Sequence, residues 1–161
     1  MGEIADILLV EGSMLKKAIA DNMRAQNRNA TGDTVKGIKV EATDSRLTLI
    51  DTKGTLIFSE VGRGPNRSNP ANAKPSYTFV QQIAKWTLKK GIKGGLTEKQ
   101  RNSFAYAIAT TIARKGNRLH RSGKNSGVVS DAINQAWLNK LMAKLTPEYT
   151  AIIKTEILKT L

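Results

Sequence analysis

His120 is the single histidine among the 161 residues of this chain, so any imidazole chemistry would depend on it. Arg118 and Arg121 flank it, so its sequence neighbourhood is basic. The sequence places no acidic residue nearby to orient a ring nitrogen, and the chain has no cysteine to serve as a second metal ligand. We therefore expect His120 to be an exposed loop residue with no role in catalysis or metal binding.

The carboxylates are also poorly arranged for catalysis. Two-metal hydrolysis and glycoside hydrolysis both need acidic side chains that converge on one cleft, and most acidic residues of this chain are spread over its first 60 residues. Asp44 and Asp51 fall in predicted turns, while Asp131 and Glu148 begin predicted helices, where the helix dipole favours negative charge. The sequence thus predicts no catalytic residue, no cofactor and no metal site, and we expect a protein that is not an enzyme.

Positive charge is the chemically informative feature of the chain. The formal net charge is +13, and residues 61–130 hold 14 of the 26 Lys and Arg residues but only one of the 13 acidic residues. Cations in such number can neutralise DNA phosphates with little geometric demand, or bind acidic protein surfaces. The candidate protein or DNA contacts are Arg63, Arg67, Lys74, Arg114, Lys115, Arg118, Arg121 and Lys124.

The elements that must position these cations follow from periodicity and capping. Apolar residues at helical spacing predict a helix over residues 4–27, with a break possible at Gly12. Ser76 can cap a helix over residues 77–90, and the capping box that begins at Thr97 starts an alanine-rich helix that ends before Gly116. The second and third of these helices lie within the basic segment.

Two-residue alternation predicts strands between the first helix and the basic segment. Ile38 and Val40, then Leu47 and Leu49, then Leu56 and Phe58 alternate as half-buried strands do, with turns at residues 43–45 and 52–54. The expected fold class is α+β, with a small antiparallel β-meander of three strands packed against several helices.

Two glycine-rich basic loops complete the prediction. Residues 62–75 carry three prolines, and residues 116–129 lie between the alanine-rich helix and the C-terminal region. Ser130 is expected to cap one C-terminal helix, and Thr146-Pro147-Glu148 to begin another. We expect residues 1–129 to form the core with both extended loops, and the helical pair in residues 130–161 to belong to the same domain.

Several motifs in the first 123 residues resemble the bacteriophage tail-completion or neck proteins, also called head-to-tail joining or minor tail proteins. The motifs are a TG turn at Thr31-Gly32, the run FSEVGRGP at residues 58–65, WTLKKGI at residues 86–92 and AYAIATTIARKGNRLHRSG at residues 105–123. The resemblance implies a structural virion protein, assembled in the host cytoplasm, that forms a homo-oligomeric ring around the DNA channel between portal and tail. It also implies that the loops at residues 62–75 and 116–129 are docking elements.

Two partner classes stay open at this stage. The expected partners are copies of the chain itself, portal or connector proteins and tail proteins, with the DNA backbone as a further partner in the channel. The alternative is a basic protein that binds nucleic acid without sequence preference, because no helix-turn-helix, zinc site or RNA-binding aromatic platform is present in the sequence. Neither alternative involves a membrane, since no apolar run approaches the roughly 20 residues of a membrane span.

Overall fold

The computed structural model describes residues 2–28, 32–66 and 69–160, and it confirms the α+β class. Its elements follow in chain order: α1 (Glu3–Ala25), α2 (Asp33–Gly37), β1 (Ile38–Thr43), β2 (Arg46–Asp51), α3 (Leu56–Val61), α4 (Tyr77–Lys89), α5 (Glu98–Lys115), α6 (Arg118–Ser122) and α7 (Gln135–Thr160). The short helix α2 lies in the connector between α1 and β1.

Helix α1 is continuous through Gly12, so the possible break does not occur. A Cβ atom at Gly12 would lie 2.5 Å from Cγ1 of Val40 and 2.6 Å from Cδ1 of Leu47. The missing side chain therefore lets the β1–β2 hairpin pack directly on the helix backbone. This close approach explains why a residue of poor helix propensity occupies the middle of a 23-residue helix.

The sheet contains two strands rather than the predicted three. Strands β1 and β2 pair antiparallel from Ile38↔Asp51 to Thr43↔Arg46, around the predicted turn. The third predicted strand is helix α3, because the Asp51 carboxylate accepts hydrogen bonds from the backbone N–H of Lys53 (3.0 Å) and of Leu56 (2.6 Å). A carboxylate at the helix start satisfies N–H groups that have no partner within the helix, so the chain turns into a helix instead of returning as a strand.

Helices α4 and α5 begin where capping predicts. The hydroxyl of Ser76 accepts from the N–H of Phe79, and Thr97 and Gln100 form the reciprocal capping box. The two helices pack through a cluster that includes Val80 and Ala84 of α4 and the fully buried Ala105 and Ala109 of α5. The buried face of α5 is therefore rich in alanine. Small side chains there allow the helix backbones to come close together.

The C-terminal region corrects two predictions. Residues 135–160 form the single helix α7 with Pro147 inside it, not a helical pair. The side chain of Asn134, not that of Ser130, accepts from the N–H of Trp137 at the helix start. Thr146 does not cap a new helix either, because its hydroxyl donates to the carbonyl of Met142 one turn earlier. Local capping preferences are overridden by packing that keeps the helix continuous.

Helix α7 is fixed to α1 by packing and by one ion pair. Leu145 joins Ile4 and Leu8 in an apolar cluster, and the Lys144 ammonium binds the carboxylate of Glu11, which is 1% exposed. A second cluster joins α1, β1 and the segment before α7, with Ile19, Ile38 and Val128 at its centre. Across the described ranges, no helix is long and apolar enough to cross a membrane.

Candidate binding surface

The two predicted basic loops meet at one place. The N–H of Asn66 donates to the carbonyl of Ala113 (2.8 Å), and the N–H of Asn117 donates to the carbonyl of Arg63 (2.8 Å). The first loop thus runs along the end of α5 and the start of α6. We refer to residues 62–66 and 113–121 together as the glycine junction.

Glycine is required at two positions of the glycine junction. Gly62 has a φ of 80°, and a Cβ atom there would collide with the Asn117 side-chain oxygen and the backbone nitrogen of His120. Gly116 has a φ of 75°, and its Cβ would lie 2.8 Å from the His120 ring and 3.0 Å from the carbonyl oxygen of Arg63. Both the left-handed backbone and the lack of space exclude a side chain.

A buried carboxylate holds the second loop beside the first. Glu60, which is 8% exposed, accepts hydrogen bonds from the N–H of Val129 (2.8 Å) and from the hydroxyl of Ser130 (2.7 Å). Burial alone would raise the pKa of Glu60. Hydrogen bonds from Ser130, Val129 and Ser126 outweigh burial and hold that pKa below its ordinary value, because they all stabilise the charged form.

Backbone contacts complete this attachment. The N–H of Ser126 donates to the carbonyl of Glu60 (2.8 Å), and the Ser126 hydroxyl donates to the carbonyl of Ser59 (2.8 Å). From α1, the amide groups of Asn22 and Gln26 donate to carbonyls of residues 126–128. We call residues 59–60 and 126–130 the Glu60 anchor. The anchor fixes the C-terminal part of residues 116–129, and these residues also contain helix α6. The prediction of a wholly extended loop there is therefore wrong.

Arg63 differs from the other candidate cations because it is partly buried. Its guanidinium carbon lies 3.7 Å from the centroid of the Phe79 ring, a cation–π contact that fixes the loop on α4. Burial lowers the pKa of Arg63 from its ordinary value, yet an arginine stays charged at neutral pH. Its position indicates a packing role in the glycine junction.

Five of the other candidates lie together and exposed. Arg114 and Lys115 end α5, Arg118 and Arg121 belong to α6, and Lys124 follows α6. Cations in the last turn of a helix are also favoured by the helix dipole, so Arg114 and Lys115 have a structural reason to be present. Lys74 is exposed elsewhere in the first loop, and Arg67 lies outside the described residues.

A groove lined by both apolar and cationic side chains adjoins this surface. It has a volume of about 330 Å³, and its lining includes Ile108 and Ile112 of α5 and Arg118 and Arg121 of α6. We call it the arginine groove. No carboxylate is among the residues that line it. The groove therefore suits a partner surface that has an apolar side chain next to a negatively charged one.

His120 is exposed, as the sequence predicts, but it lies in helix α6 rather than in a loop, with its ring against Gly64 and Gly116. Within the ranges that the structure describes, no group of three or more His, Cys, Asp or Glu residues could hold a metal ion. The ring fills the space that the glycines leave, so the histidine of the resemblance motif has a packing role.

The residues that sequence reasoning missed are the ones that hold the surface together. Glu60, Ser126 and Ser130 were not predicted to interact, because 66 or more residues separate Glu60 from its hydroxyl partners. One sequence signal was present: Glu60 is the last acidic residue before the basic segment, between Phe58 and Val61. A carboxylate in such an apolar setting needs internal donors.

In comparisons with protein-family models, with curated proteins and with solved structures, the chain had no match.

Proposed function

We propose that this chain is a structural protein of the bacteriophage head-to-tail connector, a neck or tail-completion protein without catalytic activity. In this proposal, copies of the chain form a homo-oligomeric ring that joins the portal to the tail around the DNA channel. The protein would be assembled in the host cytoplasm and would then reside in the virion.

The glycine junction carries the proposal. The runs GRGP at residues 62–65 and ARKGNRLHRSG at residues 113–123 bear the resemblance, and they contact each other although 47 residues separate them in the sequence. Their glycines, Asn117 and His120 lie where the junction's geometry needs them. The motifs on which the proposal rests therefore form one structural unit in this chain.

Exposed apolar side chains also support an assembly role. Ile57 and Phe58 of α3 are 56% and 47% exposed, and Met142 and Ile153 of α7 are 60% and 58% exposed. Large apolar residues at this exposure are found at protein–protein interfaces, although single ones are common on any surface.

Deletion of the gene from the phage that encodes it tests this proposal in the assembled particle. We expect DNA-filled heads and complete tails that do not join, seen by electron microscopy of the lysate, and we expect joining to return when the protein is supplied in trans. Normal virions from the deletion strain would contradict a connector role. Mass photometry of the purified protein, alone and with portal, should show a closed oligomer.

The exposed cations favour a second candidate, a protein that binds nucleic acid without sequence preference. Arg114, Lys115, Arg118, Arg121 and Lys124 lie within 11 residues, and no ion pair with a carboxylate is seen for them in the described part of the chain. Such a surface can contact a phosphate backbone without reading bases.

Titration of duplex DNA at several salt concentrations tests the second candidate. The logarithm of the binding constant should fall with the logarithm of salt concentration, with a slope of about 0.9 for each phosphate neutralised. R118A/R121A should lower that slope, whereas the matched control K89A/K99A on another surface should not. Weak binding that is independent of salt would eliminate this candidate.

A further inference from the structure

The molecule has an acidic cleft far from the arginine groove. Glu3, Asp44 and Glu148 line it together with Ile4 and Ile152, between the start of α1, the hairpin turn and the C-terminal half of α7. No lysine or arginine is among its lining residues. Tyr149, which is 42% exposed, lies beside the cleft, since its hydroxyl donates to the carbonyl of Asp44 (2.9 Å).

The acidic cleft and the segment that follows α6 lie at opposite ends of α1. The acidic cleft includes Glu3 in the first turn, whereas Asn22 and Gln26 at the other end bind the segment that follows α6. A helix of 23 residues is about 34 Å long. One copy therefore cannot bring its own acidic cleft and arginine groove together, and each site is open to another molecule.

The two sites also match in chemistry. The lining of the arginine groove includes Ile108, Ile112 and two arginines, and the acidic cleft has Ile152 beside three carboxylates. Opposite charges around apolar contacts are what an interface between two proteins requires for orientation and selectivity.

We propose that the acidic cleft of one copy docks on the arginine groove of the next, so that copies of this chain associate head to tail. Such an interface is heterologous, because it joins two different surfaces, and repeated copies form a ring if the rotation closes. This contact specifies which two surfaces would meet in the proposed ring, and it rests on that proposed function. It identifies the partner of the arginine groove as a second copy, and nucleic acid becomes an outcome of the test.

Charge reversal on one side of this contact should prevent self-association. Variant R118E/R121E has two acidic surfaces, and variant E3K/E148K has two basic ones. Each variant alone should need at least about tenfold higher concentration than the wild type to associate, because like charges would face each other. Asp44 is left unchanged because its carboxylate accepts the N–H of Ala5 (3.1 Å) and supports the start of α1.

Mixing the two variants is the decisive measurement. Each variant then meets a complementary surface on the other, so mass photometry of the equimolar mixture should show association restored to within a few-fold of wild type. Restored association also shows that both variants are folded. The control K89E/K99E carries the same change in charge as R118E/R121E and should associate as the wild type does.

The outcomes separate this proposal from the proposed function. A wild-type ring that persists in both variants would overturn the head-to-tail contact and leave the connector proposal standing. A ring lost in each variant but not restored by mixing would also overturn it. If R118E/R121E loses duplex DNA binding but self-associates like the wild type, the groove is a nucleic-acid site. A wild-type protein that stays monomeric alone and with portal would contradict both proposals.

Discussion

Glu60 shows how one residue can determine the position of two loops. Its carboxylate is 8% exposed, and within the described ranges its donors all come from the segment that precedes α7, so it links α3 to a part of the chain about 70 residues away. A carboxylate that receives several hydrogen bonds favours its charged form, and removing that charge leaves donors without a strong acceptor.

We expect Glu60→Gln to lower the free energy of unfolding by about 2 kcal/mol at pH 7, since hydrogen bonds to charged groups contribute about 1.5–3 kcal/mol. The folded pKa of Glu60 lies below its ordinary value of 4.5. Its stabilisation is therefore present above pH 4.5 and is lost as pH falls through the folded pKa. Urea unfolding at pH 7 and at about pH 3 should show the variant closer to the wild type in acid.

Glu41→Gln is the matched control for this prediction, since Glu41 is exposed on β1. It should leave unfolding at pH 7 almost unchanged. Equal effects of the two substitutions, or an effect of Glu60→Gln that is independent of pH, would contradict the role of the Glu60 charge.

Gly62 offers a second test at the residue scale. Both Gly62 and Gly54 have positive φ, at 80° and 61°, but a Cβ at Gly54 would have nothing within 4 Å. Gly54→Ala should therefore cost only about 1 kcal/mol of backbone strain, whereas Gly62→Ala should cost about 2–3 kcal/mol because it also displaces Asn117 and His120. Similar chemical-denaturation midpoints for both variants would argue against tight packing in the glycine junction.

At the scale of elements, the sequence predicted those whose determinants are local. Helices α4 and α5 begin at their predicted caps because Ser76 and Thr97 act within one turn. Helix α3 was predicted as a strand, because the apolar run at residues 56–58 suits either structure and the Asp51 side chain decides between them. The glycine junction and the Glu60 anchor depend on pairs distant in sequence, which periodicity and capping cannot reveal.

Pro147 distinguishes the observed helix from the predicted pair. Because Pro147 lies inside a continuous helix, it has no N–H to donate to the carbonyl of Ala143, and its ring strains that turn. At the first position of a helix, by contrast, proline is favourable. We expect Pro147→Ala to raise the free energy of unfolding by about 1–3 kcal/mol. Thr150→Ala in the same helix should change it by a few tenths only, by helix propensity. Thermal and urea unfolding that show no gain for Pro147→Ala would favour a helix that begins at this residue.

At the scale of the whole molecule, charge is unevenly distributed. The excess of +13 comes from residues 61–130, while three carboxylates line the acidic cleft. Like charges within the basic segment repel one another in the folded state and destabilise it, and salt screens this repulsion over about 10 Å at 0.1 M.

We expect the melting temperature of dilute protein to rise between about 20 and 200 mM NaCl, because screening relieves this repulsion at ionic strengths where the Debye length becomes short. Differential scanning fluorimetry at neutral pH measures it. K89E/K99E, which removes part of the excess, should show a smaller rise. A melting temperature that falls with salt would mean that favourable ion pairs dominate.

The Glu60 anchor has a consequence for how the protein opens. The chain leaves the anchor at Glu60, forms α4, α5 and α6, and returns at Ser126, whose N–H binds the carbonyl of Glu60 itself. This excursion has its own apolar cluster, separate from those around α1. Such a segment begins and ends at one point and packs mainly on itself. It can therefore unfold as a cooperative unit while the rest of the protein stays folded. Native-state hydrogen exchange should therefore divide the amides into two classes, those of α4 and α5 and those of α1 and the hairpin.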